Sequence, residues 1–314
     1  MTGRAMFNGA RAAIAATILL PMPMACAAPG AEVPEPVAVE QTSAADRYIP
    51  IDGARVRVRE EGPAGAPVIV LLHGFTMSLE SWNGWAEALA SDYRVVRYDL
   101  LGHGMTGPDP LSRYSAEERV EILRELLDRL HIDRATFGGN SFGGLVAWRF
   151  AARYPDRVDR LILVDSGAYS IYGVTDEPAP VPPAMRAYLT QLPEPAFQAS
   201  LANIFADLSR ISDSRKAEIR EMMAQPGNAE AFIAHLEEFV LPDPEPDLAR
   251  IEAPTLVLWG EEDALIPLEQ AGWIEAAIPN ARRITYPGVG HAPQEEIPAQ
   301  TAADVRHFLR ETSQ

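Results

Sequence analysis

Apolar and polar positions follow two periods that take turns along the chain. Arg55-Val56-Arg57-Val58-Arg59 repeats every second residue, the spacing of a strand with one wet face. Residues 67–72 (PVIVLL) form a continuous apolar run, which suits a strand covered on both faces, as in parallel sheets. Residues 81–90 carry a helical pattern and residues 93–98 the next strand. Ser115, with Glu118 three residues later, forms a capping box at the head of an amphipathic helix. Residues 135–138 predict a strand that runs into Gly139-Asn140-Ser141, and residues 145–154 the helix behind it. Residues 161–164 (LILV) and 255–259 (TLVLW) read as further buried strands, 283–286 as a short last strand, and 299–310 as a closing helix. This alternation predicts an α/β fold, doubly wound, with a mostly parallel sheet flanked by helices on both faces.

Two stretches break the rhythm. Residues 166–251 hold no strand pattern; a Pro-rich loop at 175–183 leads into several amphipathic helices. Ligands bind outside the carboxyl ends of the strands in such sheets, and the insertion leaves from that edge, so it is expected to be a helical lid inserted after strand six. At the other break, Arg4 and Arg11 give a positive start, residues 12–20 an apolar run, and Ala25-Cys26-Ala27 a small-x-small cleavage site. That is the order of a signal peptide. The run falls short of the ~20 apolar residues of a membrane span. Met24-Ala25-Cys26 also resembles a lipoprotein box, with Pro23 where the box has Leu, so lipid attachment at Cys26 is a second route. Either route predicts an exported bacterial protein, periplasmic or secreted, that touches a membrane only if lipidated at Cys26. The expected organisation is a signal peptide at 1–27, a flexible linker rich in Ala, Pro and Glu at 28–46, a core at 47–165 and 252–314, and the lid at 166–251.

Composition narrows the partners. The chain has 314 residues, 47% of them hydrophobic, which suits one large domain with an insertion. A formal net charge of −17 repels nucleic acid and anionic membranes, and no basic patch offsets it; no nucleic-acid partner is expected. The sequence has no H-E-x-x-H, no C-x-x-C, no dinucleotide fingerprint and no P-loop, so no metal or cofactor is expected.

The chemistry concentrates at Gly139-Asn140-Ser141-Phe142-Gly143, a G-x-S-x-G between a strand and a helix. Such a turn is sharp and strained, and it holds the serine hydroxyl above the sheet edge. A serine needs an adjacent base, and His291 lies in a Gly-flanked loop after the last strand that lets its imidazole reach inward. Three acids follow the 255–259 strand: Glu261, Glu262 and Asp263.

From residue 48 to the C-terminus the chain resembles the α/β-hydrolases. The matching motifs are His73-Gly74-Phe75, Asp99-Leu100-Leu101-Gly102-His103-Gly104, the turn at Ser141, Trp259-Gly260-Glu261-Glu262-Asp263 and Gly288-Val289-Gly290-His291, in the family's order of Ser, Asp, His. The resemblance implies an eight-stranded sheet, Ser141 as nucleophile, His291 as base and Asp263 as the acid that orients it. It implies backbone N–H groups of Phe75 and Phe142 as the oxyanion hole. Asp165, after the sixth strand, occupies the position of the acid in some relatives. His73, His103 and Asp99 are expected to be structural, and His131, His235 and His307 to be solvated or packed on helices.

The resemblance also sorts the reactions. Relatives that open epoxides or remove halide use Asp at the turn, so Ser141 argues against both. The leading expectation is a serine hydrolase that cleaves a small, apolar carboxylic ester or lactone through an acyl-enzyme. Tyr188, Phe197, Leu201, Ile204, Phe205 and Phe232 are expected either to line a hydrophobic pocket for such a substrate or to pack the helices together. One alternative is a carbon–carbon hydrolase of ring-cleavage products, whose turn resembles Gly139-Asn140-Ser141-Phe142-Gly143-Gly144. That group's H-G-x-G-P-G run is missing here, where the chain reads His73-Gly74-Phe75-Thr76-Met77. An alternative of another class is a non-catalytic binding protein on the same fold.

Overall fold

The computed structural model describes residues 46–171 and 173–312. The expected signal peptide, Cys26 and most of the expected linker lie outside the described residues.

Eight strands form one sheet: β1 (Asp46–Ile51), β2 (Ala54–Glu61), β3 (Val68–Leu72), β4 (Arg94–Tyr98), β5 (Ala135–Asn140), β6 (Val158–Val164), β7 (Thr255–Gly260) and β8 (Ala281–Tyr286). Their order is β1-β2-β4-β3-β5-β6-β7-β8. The β1–β2 and β2–β4 pairs are antiparallel, and the pairs from β4 to β8 are parallel. The helices are α1 (Asn83–Leu89), α2 (Ala116–Arg129), α3 (Phe142–Arg153), α4 (Pro183–Gln191), α5 (Glu194–Ile204), α6 (Asp213–Met223), α7 (Asn228–Glu238), α8 (Glu245–Leu248), α9 (Glu269–Ala277), α10 (Pro293–Glu296) and α11 (Pro298–Glu311).

The parallel strands are apolar throughout because both faces are covered. Val70, Leu72, Val96, Phe137, Leu161 and Val257 pack with α2, α3 and α9 residues on one side. Ile69, Leu71, Val95, Ile162, Leu256 and Leu258 pack with α1 and α11 residues on the other. Local chemistry sets α2: Ser115 Oγ accepts the Glu118 N–H at 3.3 Å, and Glu118 returns a bond to the Ser115 N–H at 3.1 Å.

Two expectations need correction. Composition places Asp46 in the linker, yet it begins β1 and its carboxylate accepts from Arg57 (2.8 Å) and Arg59 (2.6 Å). The arginine face of β2 is wet only in part: Arg55 is exposed, but Arg57 is not. Arg57 is buried and pairs with Asp46, Glu80 and Asp99, and Arg59 shares the first two, so two guanidiniums offset three carboxylates. Period-two spacing reports which residues share a face, and here charge pairing covers the polar one.

Between β6 and β7 the described residues form five α-helices, α4–α8. Their apolar side chains make a third cluster around Leu189, Phe197, Leu201, Ile219 and Phe232, which also takes in Met77 and Ala292 from the loops after β3 and β8. Among the described residues no helix is long and apolar enough to cross a membrane.

Candidate functional site

Ser141 stands between β5 and α3 at φ 55° and ψ −117°, outside the usual basins of a residue with a Cβ. Hydrogen bonds on both sides hold it there. Its N–H donates to Val164 O (3.0 Å), and its carbonyl accepts from Leu145 (3.1 Å) and Gly167 (3.0 Å). The glycines are required by close approach: a Cβ on Gly139 would lie 2.3 Å from Gly143 O, and one on Gly143 would lie 2.3 Å from Leu72 O. The loop after β3 presses on the turn from the side, with a Cβ on Gly74 falling 3.2 Å from the Ser141 Cβ. Phe142 opens α3, where N–H groups have no acceptor within the helix. Phe75 follows Gly74 in the loop that touches the serine. The two expected oxyanion residues thus adjoin the turn, Phe142 as the next residue in the chain and Phe75 in the loop beside it.

His291 reaches the same place from the far edge. Its carbonyl accepts from Asn140 Nδ2 at 2.9 Å, so the residue beside the serine grips the histidine backbone. Its N–H donates to Ile204 O (2.7 Å) at the end of α5. His291 Nδ1 lies 2.7 Å from Asp263 Oδ2. Asp263 Oδ1 accepts the N–H groups of Leu265 (2.7 Å) and Ile266 (3.0 Å). Burial opposes the charge on Asp263, but the His291 charge and hydrogen bond and the Ile266 N–H hold its carboxyl below the usual range. The aspartate is an anion, so Nδ1 carries the proton and Nε2 is left as the basic nitrogen. Among the described residues, no hydrogen bond joins the Ser141 hydroxyl to His291.

The neighbouring acids separate cleanly. Glu261 bonds Thr285 Oγ1 on the surface, and Glu262 is exposed; Asp263 alone of the three meets the histidine. Asp165 is buried beside Asp263. Asp165, Asp263 and His291 are the one group of acids and histidines among the described residues with ligand atoms all within 4.8 Å of each other. Asp263 and His291 already bond one another, which is the pattern of a hydrogen-bonded relay.

The other histidines fall where expected, with one addition. His73 is buried, its Nδ1 against Gly74 O (2.8 Å) and its Nε2 accepting from Leu100 N–H (3.0 Å), and burial pulls it down to about 4. His103 Nδ1 faces Leu101 O (3.1 Å). Asp99 accepts from Leu79 N–H and Met105 N–H, both at 2.8 Å, and braces loops. His131 and His307 are exposed. His235 of α7 is packed, but against the site: its ring stacks on Phe75 (5.0 Å) and meets Phe142 edge-on (4.3 Å). Buried Arg119 donates to His235 Nδ1 at 3.0 Å, and burial holds His235 well below its usual range.

Sequence reasoning missed Glu296. Its buried carboxylate accepts from Gly290 N–H (2.7 Å), Ala206 N–H (3.1 Å) and Asp207 N–H (3.2 Å). It clasps the loop before His291 to the chain after α5. Arg215 of α6 adds a second tie to Glu295 at 2.7 Å. Nothing local in the sequence announces contacts across some 90 positions.

Residues 67–298 match the model of the alpha/beta hydrolase fold family. The chain belongs to this family. It is similar to 2-hydroxymuconate semialdehyde hydrolase of Pseudomonas sp. (strain CF600), 30% identical over 84% of this chain and 94% of that one. A 2-hydroxy-6-oxononadienedioate/2-hydroxy-6-oxononatrienedioate hydrolase of Cupriavidus pinatubonensis is 33% identical over 77% of this chain and 86% of its own length. Among solved structures, the enol-lactonase of Burkholderia xenovorans LB400 superposes with a TM-score of 0.74 at 28% identity, covering 84% of this chain and 99% of the other. As an α/β-hydrolase with hydrolytic relatives along most of its length, the protein is an enzyme.

Proposed function

We propose that this enzyme hydrolyses a small carboxylic ester or lactone through an acyl-enzyme on Ser141. The observation that carries the reading is the 2.7 Å contact from His291 Nδ1 to Asp263 beside a serine held at positive φ. Asp263 fixes the imidazole tautomer, and Nε2 takes the Ser141 proton as Oγ attacks the carbonyl carbon. Charge develops on the carbonyl oxygen, and the N–H groups of Phe75 and Phe142 meet it, at a typical value of ~3 kcal/mol per donor. The protonated imidazole then returns its proton to the leaving oxygen. Water, deprotonated by the same nitrogen, releases the acid. Residues 166–251 serve as a lid, supported by the apolar cluster that joins α4–α7 to Met77 and Ala292. Residues 1–27 direct export, which the mass of the mature N-terminus tests.

The deciding assay is hydrolysis of p-nitrophenyl esters from acetate to decanoate by wild type and Ser141→Ala. Turnover that vanishes in the variant supports the reading, and the chain-length optimum measures the acyl pocket. A second reading is carbon–carbon hydrolysis, favoured by the two relatives named for such hydrolase substrates at 30% and 33% identity. Turnover of 2-hydroxymuconate semialdehyde with no ester hydrolysis would select it.

A further inference from the structure

Asp165 directly follows β6, with its side chain fully buried and its φ at 43°. Its Oδ1 accepts the Gly260 N–H at 3.0 Å. Its buried Oδ2 receives no hydrogen bond from any N–H or hydroxyl. An ionised carboxylate oxygen without a donor is costly in such a place. Yet the side chain sits beside Asp263, with ligand atoms of Asp165, Asp263 and His291 all within 4.8 Å of one another.

Donor counting decides how the pair shares charge. Asp263 accepts from His291, Leu265 and Ile266, whereas Asp165 accepts from Gly260 alone. Two buried carboxyls in contact do not both ionise, and the better-solvated one keeps the charge. We propose that Asp165 is a neutral carboxylic acid whose Oδ2–H donates to Asp263, making it a positioning residue for the acid of the triad. This rests on the triad reading above.

Burial first, and then the negative charge of Asp263, push Asp165 well above the usual carboxyl range, which agrees with the donor count. Glu296 adds negative charge nearby, and Tyr286, a neutral phenol within reach of the Asp165 charge, gives its hydroxyl to Asp304. The fourth donor restrains the Asp263 carboxylate and lowers its basicity. The imidazolium formed during turnover then keeps its Nδ1 proton.

The first test needs no activity. Infrared difference spectra of wild type against Asp165→Asn should show a protonated-carboxyl C=O band, sensitive to deuterium, that the variant lacks. The second uses turnover once Ser141 dependence is established with p-nitrophenyl acetate. Asn presents an N–H where the acid presents O–H, so Asp165→Asn should stay within about threefold of wild-type kcat with the same pH profile. Asp165→Leu removes the donor and should lower kcat about tenfold or more at unchanged KM. The far-downfield proton resonance of His291 Nδ1 should persist in Asp165→Asn and move in Asp165→Leu. No carboxyl band, or an Asp165→Asn variant as impaired as Asp263→Asn, would overturn the proposal by showing that Asp165 acts as an anion. If wild type shows the band but neither Ser141-dependent turnover nor fluorophosphonate labelling of Ser141, the triad reading fails and the proton assignment stands.

Discussion

At the scale of single residues, the site is a set of hydrogen bonds whose donors and acceptors can be counted. Asp263 accepts from the His291 side chain and from two backbone N–H groups, and on the proposal above also from the Asp165 carboxyl. Asp263→Asn keeps the shape but offers an N–H or a weak acceptor to Nδ1, favouring the wrong tautomer. On the proposed mechanism kcat should fall by about 10³ to 10⁴, with KM little changed. Glu296→Gln should be milder. It leaves the Gly290 N–H with a poorer acceptor and loosens the His291 loop, so kcat should drop by about tenfold in steady-state ester assays. Ser141 and His291 were legible as candidates because glycines and strand ends mark them locally, whereas only the resemblance to the α/β-hydrolases told Asp263 from Glu261 and Glu262. Glu296 and His235 were not, because their partners lie on elements far away in sequence.

At the scale of elements, what the sequence made readable was what short-range chemistry decides. The capping box at Ser115 predicts both the start of α2 and its bonds. Ser115→Ala should lower unfolding stability by about 1 kcal/mol in urea titrations, with activity unchanged. The first strand was less readable: Asp46 lies in a polar run whose partners, Arg57 and Arg59, are supplied only when β1 pairs with β2. The burial of Arg57 has the same origin. Its charge is tolerated because Asp46, Glu80 and Asp99 surround it, and none of the three is adjacent in sequence. Arg57→Met strips buried Asp99 of its ion-pair partner and leaves Asp46 and Glu80 to share Arg59, and should cost about 3–5 kcal/mol, measured by the same titration. The five helices between β6 and β7 were expected as helices from their pattern. Their seam with the His291 loop, built by Ile204, Arg215 and Glu296, was not.

At the scale of the whole molecule, the buried neutral histidines set the response to acid. His235 is held well below its usual value near 6.5, first by burial and then by the Arg119 charge. As pH falls, the unfolded chain therefore takes up this proton before the folded one does. The stability due to the neutral imidazole is complete above the unfolded value and is lost below it. His235→Gln removes this linkage, so wild type should lose about 1.4 kcal/mol more per pH unit than the variant below about pH 6. Urea midpoints at several pH values check the difference. The central claim, that this fold arms Ser141 as a nucleophile, is tested most directly by labelling with a fluorophosphonate and locating the adduct by peptide mass spectrometry. The account predicts one adduct, on Ser141, lost in Ser141→Ala and strongly slowed in His291→Ala and Asp263→Asn. An unlabelled wild-type protein, or an adduct on another residue, would contradict it.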